Sequence, residues 1–175
     1  MFSPMHSQAA PHTDMRHRSP ATPQPSPVAV PVDARAELQL LFKSYDAACL
    51  DFDADAVAGF YDLPCLLSTQ EGNGGFTARG ELRAAFARVF SGYRQQGLVG
   101  ASLVSLGIDA LSDDFALARA IWSLGDTRGR DAVSFGCLYT LRRAQGRWRI
   151  VHAVALDERS KLARRKPRAA ILGLR

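Results

Sequence analysis

The stretch Tyr139-Thr-Leu-Arg-Arg-Ala-Gln-Gly-Arg-Trp-Arg-Ile-Val-His152 holds two alternating runs on either side of Gln145-Gly146. Alternation with period 2 is the pattern of a β-strand, and a Gly-containing pair between two such runs is a two-residue hairpin turn. With that turn, pairing follows by counting. Ala144 faces Arg147, Arg143 faces Trp148, Leu141 faces Ile150, Tyr139 faces His152, Cys137 faces Val154 and Phe135 faces Leu156. All these side chains share one face, which is apolar apart from Tyr139 and His152. The other face carries Leu138, Thr140, Val151, Ala153 and Ala155, small and also short of charge.

Working back from the hairpin, strands are expected over about 99–110, 115–124, 132–143 and 147–157, joined by Ser112-Asp113-Asp114, a Gly125–Arg130 loop and the Gln145-Gly146 turn. Ala116, Ala118, Ala120 and Trp122 fall on one side of the second strand, and Phe115, Leu117, Arg119 and Ile121 on the other. A row of alanines ending in Trp leaves hollow space wherever it faces a core. Upstream the period changes to that of a helix. Leu38, Leu41, Phe42, Tyr45, Ala48, Cys49 and Phe52 form the stripe of one helix, and Asp53 is the N-cap of a short second over 54–60, ended by Pro64. Leu66–Ser68 reads as a short strand, Glu71–Gly75 as a turn, and 79–96 as a third helix stopped by Gly97. Helices first and an antiparallel meander after is an α+β pattern, a sheet wrapped on the N-terminal helices.

The chain has 175 residues and a formal charge of +5, with 22 Lys+Arg against 17 Asp+Glu. Residues 159–175 hold seven bases and no acid, whereas 35–158 hold 13 bases and 15 acids, so the basic character belongs to a tail that reads as solubilising. Binding of nucleic acid or membrane by that tail ranks last among the functions considered, and no specific nucleic-acid partner is expected. Residues 1–33 read as a disordered Pro-rich leader, since seven of the nine prolines lie before position 35. No apolar run in it makes a secretory signal, and Met15 offers an alternative start. The folded domain is expected over 34–158. Cys49, Cys65 and Cys137 are too few and scattered for a disulfide framework, no zinc-like spacing occurs, and no run is long enough to span a membrane. The expectation is a cytoplasmic protein without metal or cofactor.

Three features together resemble the NTF2-like superfamily, particularly its SnoaL-like and ketosteroid-isomerase-like members: the element order, the strand Phe115-Ala-Leu-Ala-Arg-Ala-Ile-Trp-Ser-Leu, and the closing Gly-Arg-Trp-Arg-Ile-Val-His run. The match covers about 35–158. The resemblance implies a cone with a pocket between sheet and helices, usually in a dimer, in members that range from isomerases and cyclases to non-catalytic modules. Two departures count. Val154 stands where relatives often carry a second His, and Pro64–Thr69 contains no carboxylate where isomerase relatives keep their base. Steroid isomerisation is therefore disfavoured.

His152 with Tyr139 is the candidate proton-handling pair, its alternative being two buried groups that satisfy each other. Tyr45, Trp122, Cys137 and Phe135 are candidate ligand contacts. Arg119 is expected at solvent or an interface, and Asp46 and Asp109 at the surface. The leading function is a pocket that binds or transforms a small apolar molecule with few hydrogen-bonding groups. The alternative is a homodimeric interaction module whose cone is filled by its own side chains. A sheet apolar on both faces makes a homodimer the expected assembly.

Overall fold

The computed structural model describes residues 32–164. The leading helix α1 (Val32–Leu50) buries the expected stripe, with Leu38 and Phe42 fully enclosed. Asp53 caps α2 (Ala54–Gly59), its carboxylate accepting from the backbone N–H groups of Asp55 and Ala56 at 3.0 Å each. Strand β1 (Tyr61–Thr69) begins well before the expected short strand and runs through Pro64. It turns into β2 (Gly72–Phe76), so the glycine-rich stretch read as a turn is an edge strand. An edge strand bonds one neighbour only and needs no packed side chains, and glycines suffice there. Helix α3 (Arg79–Gln95) stops at Gly97, whose φ of 72° is the left-handed conformation that glycine adopts at little cost.

The long strands β3 (Leu98–Ala110), β4 (Phe115–Asp126), β5 (Asp131–Ala144) and β6 (Arg147–Ala155) follow as an antiparallel meander, then a short helix α4 (Glu158–Arg164). The sheet order is β2-β1-β6-β5-β4-β3, with β1 parallel to β6 and every other pair antiparallel. The chain is thus α+β, helices laid against one face of a six-stranded sheet. Helix α4 spans the expected domain end, and Leu162 packs against the core. The expected leader, except the first residues of α1, and positions 165–175 of the tail lie outside the described residues.

In β4, Ala116, Ala118, Ala120 and Trp122 turn inward and are at most 2% exposed, while Phe115, Leu117, Arg119 and Ile121 face out. Arg119 pairs with Asp109 at 2.8 Å on that outer side. Asp46 is not a surface carboxylate without partner: its Oδ1 accepts from the Leu103 N–H at 2.6 Å, where a register shift interrupts the β3–β4 ladder. An otherwise orphaned backbone donor is satisfied there by a side chain of α1.

The closing hairpin departs from the counted register at one place. Ala144↔Arg147, Arg143↔Trp148 and Leu141↔Ile150 pair as expected, but Val151 is an extra residue, so Thr140 pairs with His152 and Tyr139 with Ala153. A β-bulge of this kind inverts the facing of every residue beyond it. Val154 and Leu156 are displaced from the core side, and Ala153 and Ala155 take it. Two large side chains are exchanged for two methyl groups, which opens room inside the cone.

Candidate functional site

Between the inner sheet face and helices α1 and α3 lies a cavity of about 130 Å³. A cavity of roughly 150 Å³ lined by apolar side chains admits a benzene ring, which sets the scale here at one ring. The alanines of β4 supply no bulk, the bulge puts Ala153 and Ala155 on the wall, and Trp122, Phe135, Cys137 and Tyr139 line the rest of the sheet side. Helix α1 contributes Tyr45 and Cys49, β1 contributes Tyr61 and Leu67, and α3 contributes Phe86, Val89, Phe90 and Tyr93.

Ser68 and Thr69 of β1 stand on the lining, and the other polar side chains are arranged in pairs. The Trp122 indole N–H donates to the Tyr139 hydroxyl at 2.9 Å. The hydroxyls of Tyr45 and Tyr61 are 3.1 Å apart. The Tyr45 ring sits edge-on to Phe42, Phe60, Trp122 and Tyr139, centroids 5.3 to 6.2 Å away, so its hydroxyl is held in place by packing. Tyr93 donates to the carboxylate of Glu158, the first residue of α4. A phenol both donates and accepts. Trp122 fills an acceptor site on Tyr139, and the remaining protons of Tyr139 and of the Tyr45–Tyr61 pair have as protein partners the thiols of Cys137 and Cys49, which are weak acceptors. The site therefore offers two O–H donors deep in the cone and one carboxyl at its edge.

Burial sets the protonation of these groups. Loss of water pushes the phenols of Tyr45, Tyr61, Tyr93 and Tyr139 upward, and they stay neutral donors at any ordinary pH. Burial also pushes the Cys137 thiol up to about 12, and Cys49 and Cys65 upward in the same way. A thiol is a nucleophile only as thiolate, and burial disfavours that form of Cys137. Glu158 is raised by burial, against which the Tyr93 hydrogen bond works. Burial thus favours the protonated form of this carboxyl relative to an exposed glutamate, and a carboxyl at the cavity edge is chemically able to take or return a proton.

Of the residues singled out in the sequence, Tyr45, Trp122, Phe135, Cys137 and Tyr139 come together round this cavity. His152 does not. The bulge at Val151 turns it to the other side of the sheet, where its Nε2 and the Ser68 hydroxyl are 2.8 Å apart. The Tyr139–His152 pair is therefore not formed. Tyr61, Tyr93 and Glu158 were missed as site residues. Tyr93 reads only as part of a helical stripe, Tyr61 falls between the expected second helix and the expected short strand, and Glu158 stands alone at the expected domain end.

The Glu158 carboxyl carries a testable signature. The folded state binds its proton more tightly than the unfolded chain, so this group's contribution is most favourable below the ordinary glutamate range. It worsens as pH rises through that range to the raised folded value, then stays flat. Urea unfolding should find Glu158→Gln more stable than wild type near pH 7, with the gap closing toward about pH 4. A Glu158→Gln variant less stable than wild type at both pH values would show that the carboxylate holds α4 down.

Comparison with curated proteins gives no match. Solved structures share the architecture. An NTF2-like protein of unknown function from Pseudomonas putida is 19% identical, with TM-score 0.61, over 72% of this chain and 87% of that one. An NTF2-like protein with a cystatin-like fold from Novosphingobium aromaticivorans is 17% identical, with TM-score 0.59, over 75% and 90%. Aln2 from a Streptomyces species is 15% identical, with TM-score 0.60, over 77% and 98%. Identities of this size speak to the fold alone. The family model described as NTF2-like protein (DUF6841) matches residues 35–158. The helices, the meander and the closing Trp148 hairpin are thus one more variation on a shared architecture, and the chain belongs to that NTF2-like family.

Proposed function

We propose that the cone is a binding site for a small, largely apolar ring compound bearing one or two oxygen acceptors, such as a cyclic ketone, lactone or phenol. The observation that carries this reading is the 130 Å³ cavity, mostly apolar, on whose wall the Tyr139 hydroxyl and the Tyr45–Tyr61 pair stand. Burying a ring in such a space gains roughly 25 cal/mol per Å² of apolar surface removed from water, and each phenol proton pairs a ligand oxygen that would otherwise be desolvated without a partner. Glu158, hydrogen-bonded to Tyr93 at the same cavity, is the group available for proton transfer if the ligand is transformed. A thermal-shift screen of the whole chain against ring-sized ketones, lactones and phenols tests it. The expected result is stabilisation by compounds of one ring and none by fused three-ring analogues. Silence across the panel would refute it.

A second reading is favoured by the outer sheet face, where Leu117, Ile121, Leu138 and Leu156 are 38% to 45% exposed side by side. This face is proposed as the contact between two copies of the chain. Sedimentation should give a dimer for wild type and a monomer for Leu138→Asp; a monomeric wild type would end the idea. The three buried thiols are free, which suits a cytoplasmic setting, and no helix among the described residues is long and apolar enough to cross a membrane.

A further inference from the structure

At the turn end of the β5–β6 hairpin, outside the cone, lies a polar cleft of about 600 Å³ lined by Tyr61, Asp62, Arg79, Arg142, Arg147 and Arg149. Its charge is unbalanced. Arg142 is paired with Asp62. Arg79 spends its donors on the carbonyl oxygens of Ala58 and Tyr61, the latter at 3.1 Å, and Arg149 donates to the Gly59 carbonyl at 2.6 Å. Carbonyls are neutral: they fix the direction of a guanidinium and leave its charge uncompensated. Arg147 is exposed and has neither an acid nor a carbonyl partner among the described residues. Residues 35–158 carry more acids than bases, yet four of their 13 bases meet here against one acid. Concentrating like charge costs stability unless something of opposite sign is bound.

We propose that this cleft is a binding site for a compact dianion, a phosphate monoester. Three guanidinium charges beyond the Asp62 pair match a doubly charged group better than a single carboxylate, and the guanidinium fork suits tetrahedral phosphate oxygens. Arg79 and Arg149, held by backbone carbonyls, are preset walls; Arg147 is the free arm that closes on the ligand. The cleft opens outside the cone and shares only Tyr61 with its wall.

Calorimetric titration of the full chain at low salt with phenyl phosphate, and separately with benzoate, tests the proposal. Saturable binding of phenyl phosphate is expected, about tenfold or more tighter than benzoate, and weakened by added salt. Arg147→Glu should abolish it without lowering the melting temperature, because the Arg147 side chain holds no ion pair among the described residues and its removal relieves like-charge repulsion. Arg128→Glu, the same charge change in the β4–β5 loop at the opposite end of the sheet, should leave binding intact. Equal affinity for the two ligands, absence of binding by wild type, or equal loss in Arg128→Glu would each overturn it.

Discussion

Trp122→Ala is expected to cost the domain about 3–5 kcal/mol, the range for removing a large buried aromatic. Trp122 is 2% exposed, meets Tyr45 edge-on at 5.7 Å between centroids and donates to Tyr139. Truncation removes its dispersion contacts, widens the cavity and takes the fixed donor from Tyr139. For a domain of this size the loss corresponds to a melting temperature lower by roughly 10 °C or more. Trp122→Phe keeps most of the ring and deletes the N–H, so it should cost only about 1 kcal/mol. Differential scanning calorimetry separates the two. A loss as large for Phe as for Ala would mean that the hydrogen bond, not the packing, holds the wall.

The second large effect is expected at Gly100. A Cβ built there would lie 2.3 Å from the carbonyl oxygen of Leu50, the last residue of α1, and 3.2 Å from its carbonyl carbon. Both are backbone atoms, so no rotamer change relieves the clash. Helix α1 and β3 must separate, and with them the wall that carries Tyr45 and Cys49. Gly100→Ala should therefore destabilise by about 1–3 kcal/mol, and also weaken ligand binding in the cone. Gly80→Ala is the control, since nothing lies within 4 Å of its added Cβ. Equal stability of the two variants in urea would show that α1 does not rest on β3 as closely as described.

Why the fold could be read ahead of the structure is visible in α1 and β4. A stripe at helical spacing from Leu38 to Phe52 states which face of α1 is buried, and that face is the one enclosed. The alternation of β4 separates the alanine row ending in Trp122 from its other face but leaves open which of the two turns inward, and the structure turns the alanines in. Periodicity carries that information because burial acts on every turn or every second residue. The failures have the opposite character. Nothing in Ile150-Val151-His152 marks the extra residue, since a β-branched Val fits a bulge and a regular strand alike, and one unpaired residue reverses the facing of all that follow. His152 therefore left the site while Ala153 entered it. The glycines of β2 obey local turn chemistry but are captured by the edge of β1. Glu158 belongs to the site through tertiary packing of α4, and a lone carboxylate beyond the last strand has no pattern to announce it. Trp122, Phe135, Cys137 and Tyr139 line the cavity because they share the sheet face whose register did not slip, and Tyr45 reaches it from the buried stripe of α1.

The cavity itself is the central claim, and Ala153→Leu addresses it without touching a hydrogen bond. Ala153 lines the cone opposite Tyr139, and a leucine there fills much of the 130 Å³ that a ring would occupy. The measurement is a calorimetric titration of the best ring compound from the thermal-shift panel into wild type and Ala153→Leu. Binding by wild type with a loss of at least about tenfold in the folded variant is the predicted result. Unchanged affinity in Ala153→Leu would place the ligand elsewhere on the protein and contradict the account.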